Sequence, residues 1–138
     1  MSQTDQPAPD GQLTPNGQST PDGEPRPADL STPEEFFRTE VHVGRVVKAE
    51  EFPAARKPAY RLLIDFGPLG EKRSSAQITA RYTPDELAGR LVVAVTNFPP
   101  RQIATFMSEV LVLGVPDDDG EVILLRPDAD VAPGTRVF

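Results

Sequence analysis

The sequence predicts an all-β fold, a five-stranded barrel with one short helix between its third and fourth strands. Apolar and polar residues alternate over residues 60–66, and a Gly-Pro turn leads back into a more polar strand over residues 71–79. Residues 91–95 form a continuous apolar run, which is typical of a strand covered on both faces. Two further apolar runs flank Asp119-Gly120, a dipeptide typical of hairpin turns.

Capping signals place two short helices. Thr32 suits an N-cap, because Pro33 and two acidic residues follow it in the first turn. Thr83 and Glu86 have the spacing of a capping box, and Gly89 ends the helix that they begin. The second of these helices is the one expected between strands three and four.

The remaining strands and loops complete an OB-fold. Residues 41–52 are rich in β-branched side chains, and Gly44 within them indicates a bulge or a tight bend. Residues 97–108 are expected to form a loop. We count five or six strands, and a helix between the third and fourth is the layout of an OB-fold barrel, which manages its exposed sheet edges by closure.

The chain divides into a tail and a domain. Residues 1–33 hold seven prolines and no aromatic residue, so they bury too little apolar surface to offset roughly 1–2 kcal/mol of backbone entropy per residue. We therefore expect a disordered, acidic, Pro-rich tail over residues 1–30 and one domain over residues 31–138. No stretch approaches the about 18 apolar residues of a spanning helix, and no secretory signal opens the chain. The expected compartment is the cytoplasm, with no membrane insertion.

Composition excludes most catalytic schemes. The chain has no Cys and one His, so a nucleophilic dyad and a zinc site both lack ligands. No Gly-rich phosphate loop is present. The acidic run at residues 117–121 fits a solvated hairpin tip better than a calcium loop, because Val122 stands where the loop requires glycine. We expect no enzyme activity, no metal and no cofactor.

The net charge of −7 is unevenly distributed. Residues 1–33 carry five acids and one arginine, residues 56–101 carry eight basic and four acidic side chains, and residues 102–130 carry one arginine and seven acids. A positive surface can therefore exist on this acidic chain, and the local field decides what binds there. A solvated face of mixed charge is the alternative interpretation.

The segment 97–104 combines groups suited to binding a polymer. Phe98 can stack on a base or fill an apolar site on a peptide, and Arg101 can pair with phosphate or carboxylate. Asn97 offers a donor and an acceptor. A structural role is the alternative, with Phe98 covering the end of the barrel and the two prolines stiffening a turn.

Three sequence blocks resemble the tRNA-binding-domain family, and within it the CsaA branch. They are EEFPxARxPA from Glu50, SSAQIT from Ser74, and NFPPRxIA from Asn97, the last followed by SEVLVLG from Ser108. The resemblance covers residues 34–138. It implies an OB-fold homodimer without catalytic activity, which binds unfolded or precursor polypeptides as a chaperone related to protein secretion. The wider family implies the alternative, a protein that binds tRNA by its shape.

The resemblance and the charge pattern together give the candidate site. The family's nucleic-acid surface matches Asn97, Pro100, Arg101 and Ser108. Glu109 stands where tRNA-binding relatives carry Gln, which favours a peptide amide or a basic side chain as its partner over a phosphate. The expected peptide- or RNA-binding residues are Arg73, Ser75, Gln77, Arg81, Asn97, Phe98, Pro100, Arg101, Ser108 and Glu109. Polypeptide and structured RNA both remain open as the ligand.

Overall fold

A computed structural model describes residues 29–138. The disordered tail predicted for residues 1–30 lies outside the described residues, apart from Asp29 and Leu30. Within residues 29–38, helix α1 (Pro33–Phe37) begins as its sequence predicts. Thr32 Oγ1 accepts a hydrogen bond from the Glu35 backbone N–H at 3.1 Å, and the Glu35 carboxylate accepts one from the Thr32 N–H at 2.8 Å. This reciprocal pair is a capping box.

Residues 39–138 form the predicted barrel. The strands are β1 (Val41–Glu51), β2 (Tyr60–Asp65), β3 (Glu71–Ala76), β4 (Leu91–Val95), β5 (Arg101–Ile103), β6 (Phe106–Ser108), β7 (Leu111–Val112), β8 (Gly114–Pro116) and β9 (Val122–Leu124). Five of them make an antiparallel sheet in the order β3-β2-β1-β4-β7, and two separate hairpins, β5-β6 and β8-β9, flank it. Helix α2 (Pro84–Leu87) connects β3 to β4 and is held by the predicted capping box between Thr83 and Glu86.

The core follows the alternation that the sequence shows in β2. Leu62 and Ile64 point inward with Phe66 just beyond the strand, and all three are fully buried. Val92 on β4 and Leu87 on α2 complete the centre of this cluster. The opposite face of β2, which carries Arg61 and Leu63, is partly exposed. The outer face of the β1-β2-β3 sheet is therefore free to carry a binding surface.

No bulge lies at Gly44, and the tight bend, which was the alternative interpretation, stays a prediction. Gly44 pairs regularly with Val92 on β4, and the irregularity in β1 lies between Val46 and Lys48. A Cβ at position 44 would lie 2.6 Å from Ile64 Cγ2 and 2.7 Å from Phe66 Cε1. Close packing against Ile64 on the neighbouring strand β2, and against Phe66 just beyond that strand, explains the glycine here.

The segment expected to be one loop contains a hairpin. Within residues 97–108, β5 and β6 pair antiparallel, with Arg101 opposite Ser108 and Ile103 opposite Phe106. The turn is tight enough that Ala104 adopts a φ of 54°. Short strands with a mixed burial pattern give too weak an alternation to be seen in the sequence.

Side chains complete the closure of the barrel between β3 and the segment that follows β6. The Glu109 N–H donates to the Arg73 carbonyl at 2.7 Å, as in an ordinary sheet ladder. On either side, the Ser75 N–H donates to Ser108 Oγ at 3.0 Å, and the Arg73 N–H donates to Glu109 Oε1 at 2.9 Å. These two side chains satisfy β3 donors that would otherwise lie at a sheet edge.

The acidic run forms the tip of the β8-β9 hairpin, as predicted. The Asp117 carboxylate accepts the N–H groups of Asp119 and Glu121 at 2.8 and 3.0 Å. It also accepts Arg81 Nε at 2.9 Å, and this hydrogen bond, together with those from the turn, lowers the pKa of Asp117. Within residues 29–138, no helix has the length and apolar character that crossing a membrane requires.

Candidate binding site

A basic cleft lies beside the β5-β6 hairpin. It has a volume of about 590 Å³, and three of its lining residues are cationic while none is acidic. Small and polar side chains form the remainder of its wall. The lining residues are Ala55, Arg56, Lys57, Ala59, Ser75, Gln77, Arg101 and Ile103. Such a cleft attracts an anionic ligand even on an acidic protein, because the local field dominates at contact distances.

The barrel topology brings these cations together. Arg56 and Lys57 lie in the connection between β1 and β2, whereas Arg101 begins β5. All three side chains are at least partly exposed. Among residues 29–138, no carboxylate forms an ion pair with Arg101, so its guanidinium is available for phosphate or carboxylate.

A smaller cleft of about 110 Å³ adjoins the basic one and shares Ser75, Arg101 and Ile103 with it. Its other walls include Phe98 and Leu111, which are 47% and 48% exposed. About half of the Phe98 side chain is therefore accessible to a ligand. The two clefts together place an apolar surface beside a row of cations.

Glu109 and Ser108 are turned mainly toward β3. The Glu109 carboxylate accepts the Arg73 N–H and lies 3.7 Å from Arg73 Nε. An acidic residue at this position was expected to oppose a phosphate. Its pairing with Arg73 reduces that repulsion, because the two opposite charges compensate each other locally.

Three predicted site residues lie elsewhere. Arg81 is bound to Asp117 at the β8-β9 tip. The Asn97 side-chain oxygen accepts the backbone N–H of Glu40 at 2.8 Å, which ties the end of β4 to the start of β1. Pro100 is exposed but is in the wall of neither cleft. The structure thus brings together Ser75, Gln77, Phe98 and Arg101. Arg73, Ser108 and Glu109 lie beside them, along the hydrogen-bonded seam between β3 and residues 108–110.

Arg56 and Lys57 are the cleft residues that sequence reasoning did not select. Both belong to the basic stretch of residues 56–101, and Arg56 stands in the first of the quoted sequence blocks. Those two signals in combination could have identified them. Ile103 stands in the third quoted block, but its apolar side chain gave no chemical reason to select it.

Comparisons with known proteins agree with this architecture. A family model described as "Putative tRNA binding domain" matches residues 41–136. The methionine–tRNA ligase of Porphyromonas gingivalis is 38% identical over 104 residues, which are 75% of this chain and 15% of the ligase. The chain spans about 15% of the length of the curated relatives that it matches.

Among solved structures, the chaperone CsaA of Bacillus anthracis is 50% identical, with a TM-score of 0.75, covering 79% of this chain and 99% of that one. The CsaA chaperone protein of Picrophilus torridus is 47% identical, with a TM-score of 0.74 and coverages of 79% and 100%. By fold and by matched residues, the chain belongs to the tRNA-binding-domain family. Its neighbours of known structure place it in the CsaA branch of that family.

Proposed function

We propose that this protein is a non-catalytic binding protein whose basic cleft holds the phosphate backbone of a structured RNA of the tRNA type. The observation that carries the proposal is the meeting of Arg56, Lys57 and Arg101 in one cleft without a lining carboxylate. When arginine and lysine side chains neutralise RNA phosphates, the counterions bound to the RNA are released, and this provides affinity that does not depend on the base sequence. Membership of the tRNA-binding-domain family supports the same ligand class.

Two further features belong to this proposal. The protein acts in the cytoplasm, where structured RNA and precursor polypeptides are both present. It works as a homodimer, so that two clefts bind one ligand and increase avidity without new contacts. Light scattering coupled to size exclusion measures the mass directly, and a mass of one chain, 15.0 kDa, would remove the dimer from the proposal.

A gel-shift titration with total tRNA tests the cleft, using Arg101→Glu and the charge-matched control Arg126→Glu. Arg126 is exposed and follows β9, outside the basic cleft. We expect Arg101→Glu to weaken binding by roughly tenfold or more, since a charge-assisted contact contributes about 1.5–3 kcal/mol. The control should remain close to wild type. Equal binding by Arg101→Glu and wild type contradicts the proposed site.

The second candidate ligand is an unfolded or precursor polypeptide, bound as by an export-related chaperone. Exposed Phe98 and Leu111 beside the cations favour it, because an extended peptide can pair its apolar side chains with such a surface. The identity of 50% to a CsaA chaperone supports it as well.

Suppression of aggregation tests this candidate. Light scattering from a chemically denatured client should fall in the presence of the protein, and Phe98→Ala should restore part of the scattering. Unchanged scattering with excess wild-type protein excludes the chaperone activity. Loss of suppression on adding tRNA indicates that RNA and polypeptide compete for one surface.

A further inference from the structure

Two arginines on the outer sheet face lie over phenylalanine rings. The Arg61 guanidinium carbon is 5.5 Å from the ring centre of Phe52, and that of Arg73 is 5.4 Å from the ring centre of Phe106. The two rings contact each other, with centroids 5.3 Å apart. We name these four residues the arginine-aromatic strip. Arg61, Arg73 and Phe106 also line an open cleft of about 260 Å³.

The strip has little uncompensated charge, in contrast to the basic cleft. Glu50 lies 2.6 Å from Lys48 Nζ and 3.2 Å from Arg61, and the hydrogen bond from Lys48 is the main reason that the pKa of Glu50 is lowered. Glu109 compensates Arg73 in the same way. A phosphate would meet these two carboxylates, so the strip disfavours an anion and favours a neutral planar group.

Both arginine side chains are partly accessible to solvent. The Arg61 side chain is 40% exposed and the Arg73 side chain is 50% exposed. An arginine held over a ring loses less side-chain freedom when a second flat group stacks on it, because its plane is partly fixed beforehand. Nucleobases are neutral, planar and known to stack on arginine as well as on aromatic rings.

The strip continues the surface of the basic cleft. Arg73 and Ser75 are alternate residues of β3 and lie on the same face, about 7 Å apart along the strand. Ser75 lines the basic cleft and lies opposite Arg61 in the sheet. A polymer whose phosphates occupy the cleft can therefore present its next base to the strip.

We propose that the arginine-aromatic strip stacks an unpaired nucleobase of the RNA whose backbone occupies the basic cleft. The inference rests on the proposed function and specifies it, because it requires a single-stranded segment next to the bound phosphates. Continuous duplex RNA, whose bases stack on one another, cannot supply the ligand of the strip.

Fluorescence anisotropy with two labelled oligoribonucleotides of about twelve residues tests the strip, a length within the range of known single-strand sites. One probe is oligoadenylate, and the other carries abasic riboses at its central positions. Wild type is compared with Arg73→Lys, which keeps the charge beside Glu109 but removes the guanidinium plane, and with Arg61→Lys. The matched control is Arg126→Lys, and circular dichroism verifies that each variant is folded.

We expect wild type and the control to bind oligoadenylate roughly tenfold more tightly than the abasic probe, since stacking contributes about 1–3 kcal/mol per base. Arg73→Lys should lose most of this preference without altering the salt dependence. Equal binding of both probes by wild type overturns the inference and leaves the proposed function intact. Retention of the full preference by both lysine variants also overturns it. Failure of both probes and of total tRNA to bind overturns the proposed function itself.

Discussion

At Gly44, two fully buried side chains occupy the space that a Cβ would need. Ile64 and Phe66 come within 2.7 Å of that position and have no accessible surface through which to move aside. We expect Gly44→Ala to lower the free energy of unfolding by about 1–3 kcal/mol through overpacking of the core. Chemical denaturation measures the change, and a variant as stable as wild type contradicts the packing explanation.

His42 gives a second prediction for a single residue. Its ring is buried on β1, and Nδ1 lies 2.8 Å from Thr96 Oγ1. Burial lowers the pKa of His42 below its usual 6.5; nearby Glu40 opposes this shift and Arg136 adds to it. Below pH 6.5 the unfolded chain therefore binds a proton that the folded chain does not, so stability falls as the pH falls through the folded pKa.

The test compares wild type with His42→Gln between pH 7.5 and pH 5 by chemical denaturation. Wild type should lose more free energy of unfolding over this interval than the variant, which has no imidazole to titrate. The difference should fade as the pH rises from 6.5 to 7.5, because His42 then becomes neutral in the unfolded state as well. Parallel pH profiles for the two proteins would show that His42 does not contribute to the pH dependence.

At the scale of elements, the seam between β3 and residues 108–110 depends on two side chains. The Glu109 carboxylate is 34% exposed, so its bond to the Arg73 N–H contributes toward the low end of charge-assisted hydrogen bonds. We expect Glu109→Ala to reduce the free energy of unfolding by about 1 kcal/mol. Glu109→Gln keeps an acceptor oxygen and should lose less. Equal stability of the alanine variant and wild type contradicts a closing role for Glu109.

Most of the elements could be predicted from the sequence, because their causes are local. Thr32 and Thr83 cap helices through neighbours three residues away, and the alternation in β2 identifies its buried face without reference to other strands. The β5-β6 hairpin was missed because three-residue strands have no measurable period. Gly44 stands out in the sequence, but glycine is required there by packing against Ile64 and Phe66. That contact joins parts of the chain that are distant in sequence, so a local pattern does not show it.

The candidate site could be predicted only in part, for a related reason. The residue types predict a polymer-binding role for Arg101 and Phe98. The presence of Arg56 and Lys57 in the same cleft as Arg101 depends on how the barrel brings the β1-β2 connection toward β5. The direction of the Glu109 side chain likewise depends on the seam with β3. The sequence shows which side chain stands at each position, whereas the fold of the barrel decides which side chains lie next to one another.

For the whole molecule, the net charge conceals how the basic and acidic side chains are distributed over the chain. The chain carries −7, yet three cations share a cleft with no lining carboxylate, while seven of the acidic residues fall within residues 102–130. An acidic protein with a local basic cleft repels polyanions elsewhere on its surface. Binding should therefore be confined to the cleft and depend strongly on ionic strength.

The salt dependence of tRNA binding shows whether the basic cleft holds the RNA backbone. Affinity for total tRNA is measured against salt concentration for wild type and for a variant carrying Arg56→Ala, Lys57→Ala and Arg101→Ala. Each lost phosphate contact changes the logarithmic slope by about 0.7–0.9. We predict that the slope of the variant is shallower by roughly 2–3 and that its binding at low salt is greatly weakened. Identical slopes and affinities for the two proteins would contradict the claim that this cleft holds the RNA backbone.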